Sequence, residues 1–576
     1  MIVVIEKKFD HMFFISQNKL YLTLLILQIN VCLYLKDTLR QKSLMDFTST
    51  TVAYRETGYF SGIILDYLEG KEKLELFYAH PVTTDGIKAA IKNRRSFPTD
   101  RKLLVDTLQK HYANSNPTIQ QLQSIKQLAN SNCFTVTTAH QPNIFSGHLY
   151  FIYKILHAIK LCEKLKAQMP ENDFVPVYYM GSEDADLEEL GHIYINGFKH
   201  EWKTNQTGAV GRMKIDRALV QMLDAIEGEL VVHPFGKEII DQMKACYVVG
   251  ATIEQATFKL VNALFGAFGL IILLPDDTDY KRAFIPVVAK ELKEQFSHSI
   301  VEETSTRFPK EYKVQASGRE LNLFYLKDDR RDRIERSAAN FKVVDTEIVF
   351  TEPQMLQELE AYPERFSANV ILRPVFQELI LPNIAFIGGG GEIAYWLELK
   401  NVFAAVGVPF PVLVLRNSFL LAEKKHTEKA MALGFAINDL FKPEADLLNV
   451  LVKRDSAVQL SLQKEKMAVQ DFYCALSKTA GAVDITLQPH TEALEKQALK
   501  KMEALEKKML RAEKKKFEAQ QRQLHKLKGQ LFPHNSLQER IENFMPFYAK
   551  WGNDFIKTVY ENSLALEQEF VILEVQ

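Results

Sequence analysis

The chain is 576 residues long, enough for about three or four domain-sized units rather than one core. Hydrophobic residues make up 47% and charged residues 25%, and the formal net charge of −1 excludes a global electrostatic attraction to nucleic acid or to a membrane surface. The five cysteines (Cys32, Cys133, Cys162, Cys246 and Cys474) are widely spaced and form no CxxC pair, which excludes a disulfide framework, a zinc site and a thioredoxin-like couple and fits a reducing, cytoplasmic setting.

In chain order, residues 20–35 form an apolar run broken by Gln28 and Asn30. The run is shorter than the roughly 20 residues of a membrane span, and Lys36-Asp37 follows it with no small-residue cleavage site. Two readings stay open: a single signal anchor, or a non-native extension over residues 1–44 with translation starting at Met45. The second is preferred, because globular-looking sequence begins there. Residues 45–130 read as a helical N-terminal part of the core, with apolar residues spaced three and four apart in 87–91 and 103–112.

The run Phe134-Thr135-Val136-Thr137-Thr138 predicts a buried strand. A helix over 149–169 follows, then a second strand over 174–180 that ends in Gly181-Ser182-Glu183-Asp184. This is the strand–helix–strand order of a parallel crossover. The pattern returns with a strand over 270–274, a strand over 383–387 running into four glycines and a helix, and a strand over 412–415 ending at Arg416. The expected fold is therefore α/β, with a Rossmann-like parallel-sheet core in two halves, 131–300 and 371–440. Between them lies an inserted subdomain, 301–370, with strands predicted over 319–327 and 341–350.

After Pro489, glycine and proline vanish until Gly529. Ala498, Met502, Leu505, Met509 and Ala512 alternate by four and three, a heptad seam that Lys516 interrupts and that Phe517, Leu524 and Leu531 resume one step over. Residues 441–532 are expected to form a long C-terminal α-helical coiled coil, a hairpin with 450–476 as the other arm, and 533–576 to pack back on the core. The basic stretch 500–528 has Phe517 as its one Phe, Tyr or Trp residue, so it reads as a solvated helix face rather than a nucleic-acid surface.

Four groups of residues can carry chemistry. His140, Gln141, Gly147 and His148 lie where the first strand hands over to its helix, a place for phosphate oxygens or, alternatively, for a helix-capping loop. Glu183, Asp184 and Asp186 follow the second strand and suit an amine, a sugar hydroxyl or Mg²⁺, whereas Glu188 and Glu189 read as an acidic first helical turn. Gly388, Gly389, Gly390 and Gly391 predict close ligand approach and an anion-binding nest, without the lysine of a Walker loop. Arg373 and Arg416 can hold a carboxylate or phosphate as bidentate forks, or serve as structural ion-pair partners.

Taken together, TAHQPNIFSGHLYFIYK (138–154), GSEDADLEELGH (181–192), RPVFQELILPNIAFIGGGGEIAYWLEL (373–399), VPFPVLVLR (408–416) and LQERIENFMPFY (537–548) resemble the BshC family of bacillithiol biosynthesis, over nearly the whole chain from Met45. The resemblance implies a core related to class I aminoacyl-tRNA synthetases and a homodimer through the coiled coil. The implied reaction condenses L-cysteine with the amine of glucosaminyl-malate, with ATP activating the cysteine carboxylate and Mg²⁺ accompanying it. By that analogy His140, Gln141, Gly147, His148 and the four glycines hold nucleotide phosphates. Glu183, Asp184 and Asp186 bind an amine, and Arg373, Arg416 and Tyr395 bind substrate. The chain departs from the family pattern at Ala185, where a histidine is expected, and at Gly147, where proline is common. Two rival readings stand beside this one: an amide ligase for another amino sugar, and a coiled-coil scaffold with a degenerate nucleotide-binding core.

Overall fold

β-Branched and aliphatic residues run almost unbroken through five short segments, the pattern a strand needs when both faces of its sheet are covered. These are β1 (Cys133–His140), β2 (Asp173–Met180), β3 (Ile271–Leu273), β4 (Asn383–Gly388) and β5 (Val412–Leu415). They form an all-parallel sheet in the order β5-β4-β1-β2-β3. Every side chain of β1, β3, β4 and β5 is buried. The computed structural model describes residues 46–316, 318–337 and 340–576, so the expectation for residues 1–44 lies outside the described residues.

Helix α1 (Tyr150–Gln168) carries the chain from β1 back to β2. Its Ala158, Leu161, Cys162 and Leu165 pack on Phe134 and Val136 of β1, Ile384 and Ile387 of β4, and Val412 and Val414 of β5. Because β1 has β2 on one side and β4 on the other, the strand order reverses between β1 and β4. A doubly wound sheet opens a crevice at such a point, beyond the carboxyl ends of the strands. Here it opens beyond His140 and Gly388, where the short helix α2 (Gly390–Trp396) begins.

The insertion is a five-stranded antiparallel sheet in the order Val349–Thr351, Asn340–Val343, Arg330–Ser337, Leu323–Lys327, Phe366–Ala368. Its central strand, Arg330–Ser337, escaped prediction because the charged run RRDRIERS hides the alternation, with Ile334 its one fully buried residue. A second small sheet seats Glu569–Val575 between Phe47–Ala53 and Ser418–Glu423, antiparallel to the first and parallel to the second.

The helical hairpin differs in register from expectation. Its arms are α3 (Gln463–Val483) and α4 (Gln488–Lys514), because residues 450–455 close a separate helix, Glu444–Asp455. That helix stops before Ser456, whose hydroxyl donates to Glu513 Oε1 at 3.0 Å. The break predicted at Lys516 is a 3-10 turn, Lys515–Phe517, before α5 (Glu518–Leu531). Among the described residues no helix is long and apolar enough to cross a membrane.

Candidate active site

The crevice at the strand reversal holds a cavity of about 560 Å³. His140, the last residue of β1, lines it, with its ring packed against Tyr150 and Phe151. Burial pushes its imidazole far below the ordinary range, with Lys154 and His148 adding to the effect, so the ring stays neutral. Its Nε2 is buried with no hydrogen-bond partner. The following loop takes three successive positive φ angles, at Phe145, Ser146 and Gly147. Two of these are non-glycine residues, a strain that the surroundings must hold in place. They do: Asn543 Nδ2 donates to Phe145 O at 2.9 Å and to Gly147 O at 2.5 Å. A Cβ on Gly147 would come within 2.7 Å of Asn143 Cβ, so this glycine serves the turn and is not part of the cavity lining. His148 does line the cavity, and its Nδ1 sits 3.1 Å from Ile541 O.

The acidic loop divides. Glu183 is buried and ion-paired with Lys281, whose Nζ also donates to Phe366 O at 2.7 Å. Asp184 accepts from Gln141 Nε2 at 3.1 Å, joining the ends of β1 and β2. Both carboxylates line the cavity, as do Gln141 and Glu189. Asp186 does not; its side chain caps the Leu187–Leu190 helix through Glu189 N. Glu189, assigned by sequence to an acidic helical turn, does both jobs. Partial burial and the nearby Asp186, Asp184 and Glu392 raise its carboxyl.

The four glycines pass from strand to helix without any positive φ, so the left-handed step that an amide nest requires is absent. Space is what they supply: a Cβ on Gly388 would come 2.8 Å from Phe386 Cε1, while Gly391 is open on that side. Gly389, Gly390 and Gly391 line the cavity and Gly388 lies beneath it, at the end of β4. Glu392 accepts from Gly389 N at 2.8 Å and from Lys154 Nζ at 2.6 Å. Lys154 reaches up from α1 and also donates to Ala139 O at 2.6 Å, tying β1 to the glycine turn.

Four arginines line the same cavity: Arg331, Arg373, Arg416 and Arg540. Arg416, read from sequence as either a free fork or an ion-pair partner, is the latter on one edge: its Nη1 lies 2.7 Å from Oε1 of the fully buried Glu539. Arg373 donates to Tyr395 OH at 2.7 Å and to Gln377 Oε1 at 3.3 Å, and Tyr395 lines the cavity beside it.

Thus the crevice gathers His140, Gln141, His148, Glu183, Asp184, Gly389–Gly391, Arg373, Tyr395 and Arg416, and leaves Gly147, Asp186 and Gly388 outside the lining. Sequence reasoning missed Lys154, Lys281, Arg331, Glu392, Glu539 and Arg540. Lys154, Glu392, Glu539 and Arg540 sit inside the quoted motifs, but a lone charge there gives no sign of which distant partner it meets.

A doubly wound sheet with a switch-point cavity lined by carboxylates and arginines, followed by a helical hairpin, defines a Rossmann-like enzyme with a coiled-coil domain. Residues 45–417 match the family model described as "Bacillithiol biosynthesis BshC, N-terminal Rossmann-like domain", and residues 419–575 match its "C-terminal coiled-coil domain". The chain belongs to the BshC family. A relative from Flavobacterium johnsoniae is 40% identical over 91% of this chain and 99% of its own length, and one from Flavobacterium psychrophilum is 38% identical over the same shares. A relative from Cytophaga hutchinsonii is 34% identical over 90% of this chain and 97% of its own. Each carries the name "Putative cysteine ligase BshC". A solved structure titled as an arginyl-tRNA synthetase of Campylobacter jejuni aligns over 81% of this chain and 99% of its own at 10% identity, but its TM-score of 0.22 carries no argument.

Proposed function

We propose that this chain is a cytosolic ligase that joins L-cysteine to the amine of glucosaminyl-malate, with ATP as the source of energy. The observation that carries the reading is the meeting of carboxylates and arginines in one cavity. Carboxylates at the end of β2 share its lining with arginines from the insertion, from the segment before α2 and from the C-terminal segment. Amide formation between an amino acid and an amino sugar that carries carboxylates needs both kinds of group.

Asp184, held by Gln141, and Glu183, held by Lys281, orient an ammonium group. Glu189, its carboxyl raised by burial and neighbouring carboxylates, accepts the proton the amine must lose before it attacks. The orphaned Nε2 of neutral His140 and the guanidinium groups of Arg416 and Arg540 suit an anionic ligand near Gly389–Gly391. ATP, when bound, supplies the activation of the cysteine carboxylate. The new C–N bond then forms as the activated carboxyl's bond to phosphate oxygen breaks. Among the described residues no group of three His, Cys, Asp or Glu side chains is placed to hold a metal, so Mg²⁺ would arrive on the nucleotide phosphates. Arg373 with Tyr395 faces the malate carboxylates.

The partner proposed for the coiled coil is a second copy of the chain. Helix α3 buries none of its residues, and Met467 and Phe472 stand 55% and 62% exposed. Phe472→Asp is expected to convert a dimer to a monomer in sedimentation velocity; an unchanged dimer would place the interface elsewhere.

The test of the reaction mixes protein beginning at Met45 with glucosaminyl-malate, cysteine and Mg-ATP, and follows product and nucleotide by mass spectrometry. Bacillithiol with stoichiometric AMP is the expected result. ADP in its place would keep the ligase and make the activated carboxyl an acyl phosphate rather than an adenylate. Turnover of a different amino sugar, and not this one, would reassign the acceptor.

A further inference from the structure

Three of the four cavity arginines lack a counter-charge. Among the described residues, no carboxylate lies within ion-pair distance of Arg331, Arg373 or Arg540, whereas Arg416 is paired with Glu539. A half-buried guanidinium without an anion is costly, and proteins place one where a ligand brings the anion. Arg540 neighbours Arg416 on the glycine side of the cavity; burial and that positive neighbour push its guanidinium down. Arg331 lies within electrostatic reach of the carboxylates at the end of β2, and Arg373 meets Tyr395 of α2.

Those two flank one short stretch of lining, Ala368-Asn369-Val370. Arg331 comes from the central strand of the insertion. Its plane lies 3.8 Å from the centroid of the Phe324 ring, its Nε donates to Ser367 Oγ at 3.2 Å, and its Nη2 to Ala368 O at 3.4 Å. Among the described residues Nη1 has no such partner. Arg373 begins on the far side of the same stretch, with its backbone N donating to Asn369 O at 2.8 Å and its guanidinium over the Tyr179 ring. Glu183 and Asp184 are the carboxylates in electrostatic reach of Arg331; neither is within ion-pair distance of it, and Glu183 is already paired with Lys281. Ring, hydroxyl and carbonyl fix the direction of Arg331 without consuming its charge, as a preorganised binding fork requires.

We infer that Arg331 and Arg373 together form the carboxylate-recognition subsite of this cavity, so that the inserted subdomain selects an acceptor carrying a dicarboxylate arm. The inference rests on the ligase reading above and assigns a specificity-determining role to the insertion. The Rossmann-like sheet supplies the site of bond formation, and the insertion checks the acceptor at its carboxylate arm.

The test measures steady-state constants of the full chain for three substrates in turn: glucosaminyl-malate, cysteine and ATP. Arg331→Gln is expected to raise KM for glucosaminyl-malate roughly 10- to 100-fold while KM for cysteine and ATP stays within about twofold, and Arg331→Lys is expected to recover part of the loss. Methyl glucosaminide, an acceptor with the amine and no carboxylate, should be used poorly and equally by wild type and variant. Arg373→Gln should give the same acceptor-selective pattern, which guards against a loosened insertion in the Arg331 variant. A rise in KM for cysteine or ATP instead, or an equal penalty on methyl glucosaminide, would overturn the inference. Should wild-type protein turn over none of these, the ligase reading fails; titration calorimetry with malate then decides the subsite separately, with heat lost in both variants supporting it and heat absent from wild type sinking it.

Discussion

Lys154 Nζ lies 2.6 Å from Glu392 Oε2, and the lysine side chain is 1% exposed. The pair spans the strand reversal, since Lys154 also holds the carbonyl of Ala139 and Glu392 also holds the amide of Gly389. Burial pulls the lysine down and Glu392 pulls it back, so the ion pair, not solvent, keeps the ammonium charged. Lys154→Met therefore leaves the glycine turn without its tie. It is expected to cost about 3 kcal/mol in urea-induced unfolding and to lower turnover beyond what the stability loss explains. Unfolding at the wild-type midpoint would disprove the tie.

Glu539 is the counter-charge for Arg416 and also accepts from Ser418 Oγ at 2.9 Å and Phe419 N at 3.1 Å. Glu539→Gln keeps the shape and removes the charge. In a double-mutant cycle with Arg416→Gln, the two sites are expected to couple by about 2 kcal/mol in unfolding free energy. Additive effects would mean the contact carries no energy.

The glycines of the turn are expected to differ by position. Gly388→Ala forces a Cβ against Phe386 Cε1 and should cost about 1–3 kcal/mol in thermal unfolding. Gly391→Ala meets nothing within 4 Å and should melt as wild type. Gly389→Val faces Arg416 Nε at 3.6 Å and is expected to fold yet bind no nucleotide, read by calorimetry with ATP. Equal melting of all three, with ATP binding intact, would remove the glycine turn from the site.

His157 supplies a pH dependence of stability. Its Nδ1 accepts from Asn417 N at 3.1 Å, which fixes the proton on Nε2, 2.7 Å from Ala565 O. Burial, with the Arg416 charge adding to it against the pull of Ala565 O and Glu567, lowers its pKa from 6.5 to about 4. The folded value lies below the unfolded one, so this contribution is complete above pH 6.5 and is lost as pH falls from there through 4. Denaturant midpoints taken across that window should fall for wild type and fall less for His157→Gln; parallel curves would count against the assignment.

The core strands were readable because a buried parallel strand is a continuous apolar run, and the residues at its end are forced into the crevice. That logic reached His140, Glu183, Asp184 and Gly389 from composition and order. It did not reach Arg331, because charged residues on both sides concealed the strand that carries it. Nor did it separate Asp186 from Asp184: two residues apart, one caps a helix and the other lines the cavity, a difference of side-chain direction that spacing does not encode. Arg416 and Glu539, 123 positions apart, became partners through folding alone.

Residues 538–543 bind β-strand, loop and arginine together: Gln538 holds Leu421, Glu539 holds Arg416, and Asn543 holds the strained turn at Phe145–Gly147. During synthesis, all five strands of the parallel sheet leave the ribosome before this clasp does. Until it does, the turn at Phe145–Gly147 has lost its anchor and Arg416 its counter-charge. A half-made polypeptide therefore owns the parts of a catalyst without the catalyst. Synthesis through Asn543 is what secures the turn and the arginine, and fragments cut short of Glu539 should consume neither substrate nor nucleotide.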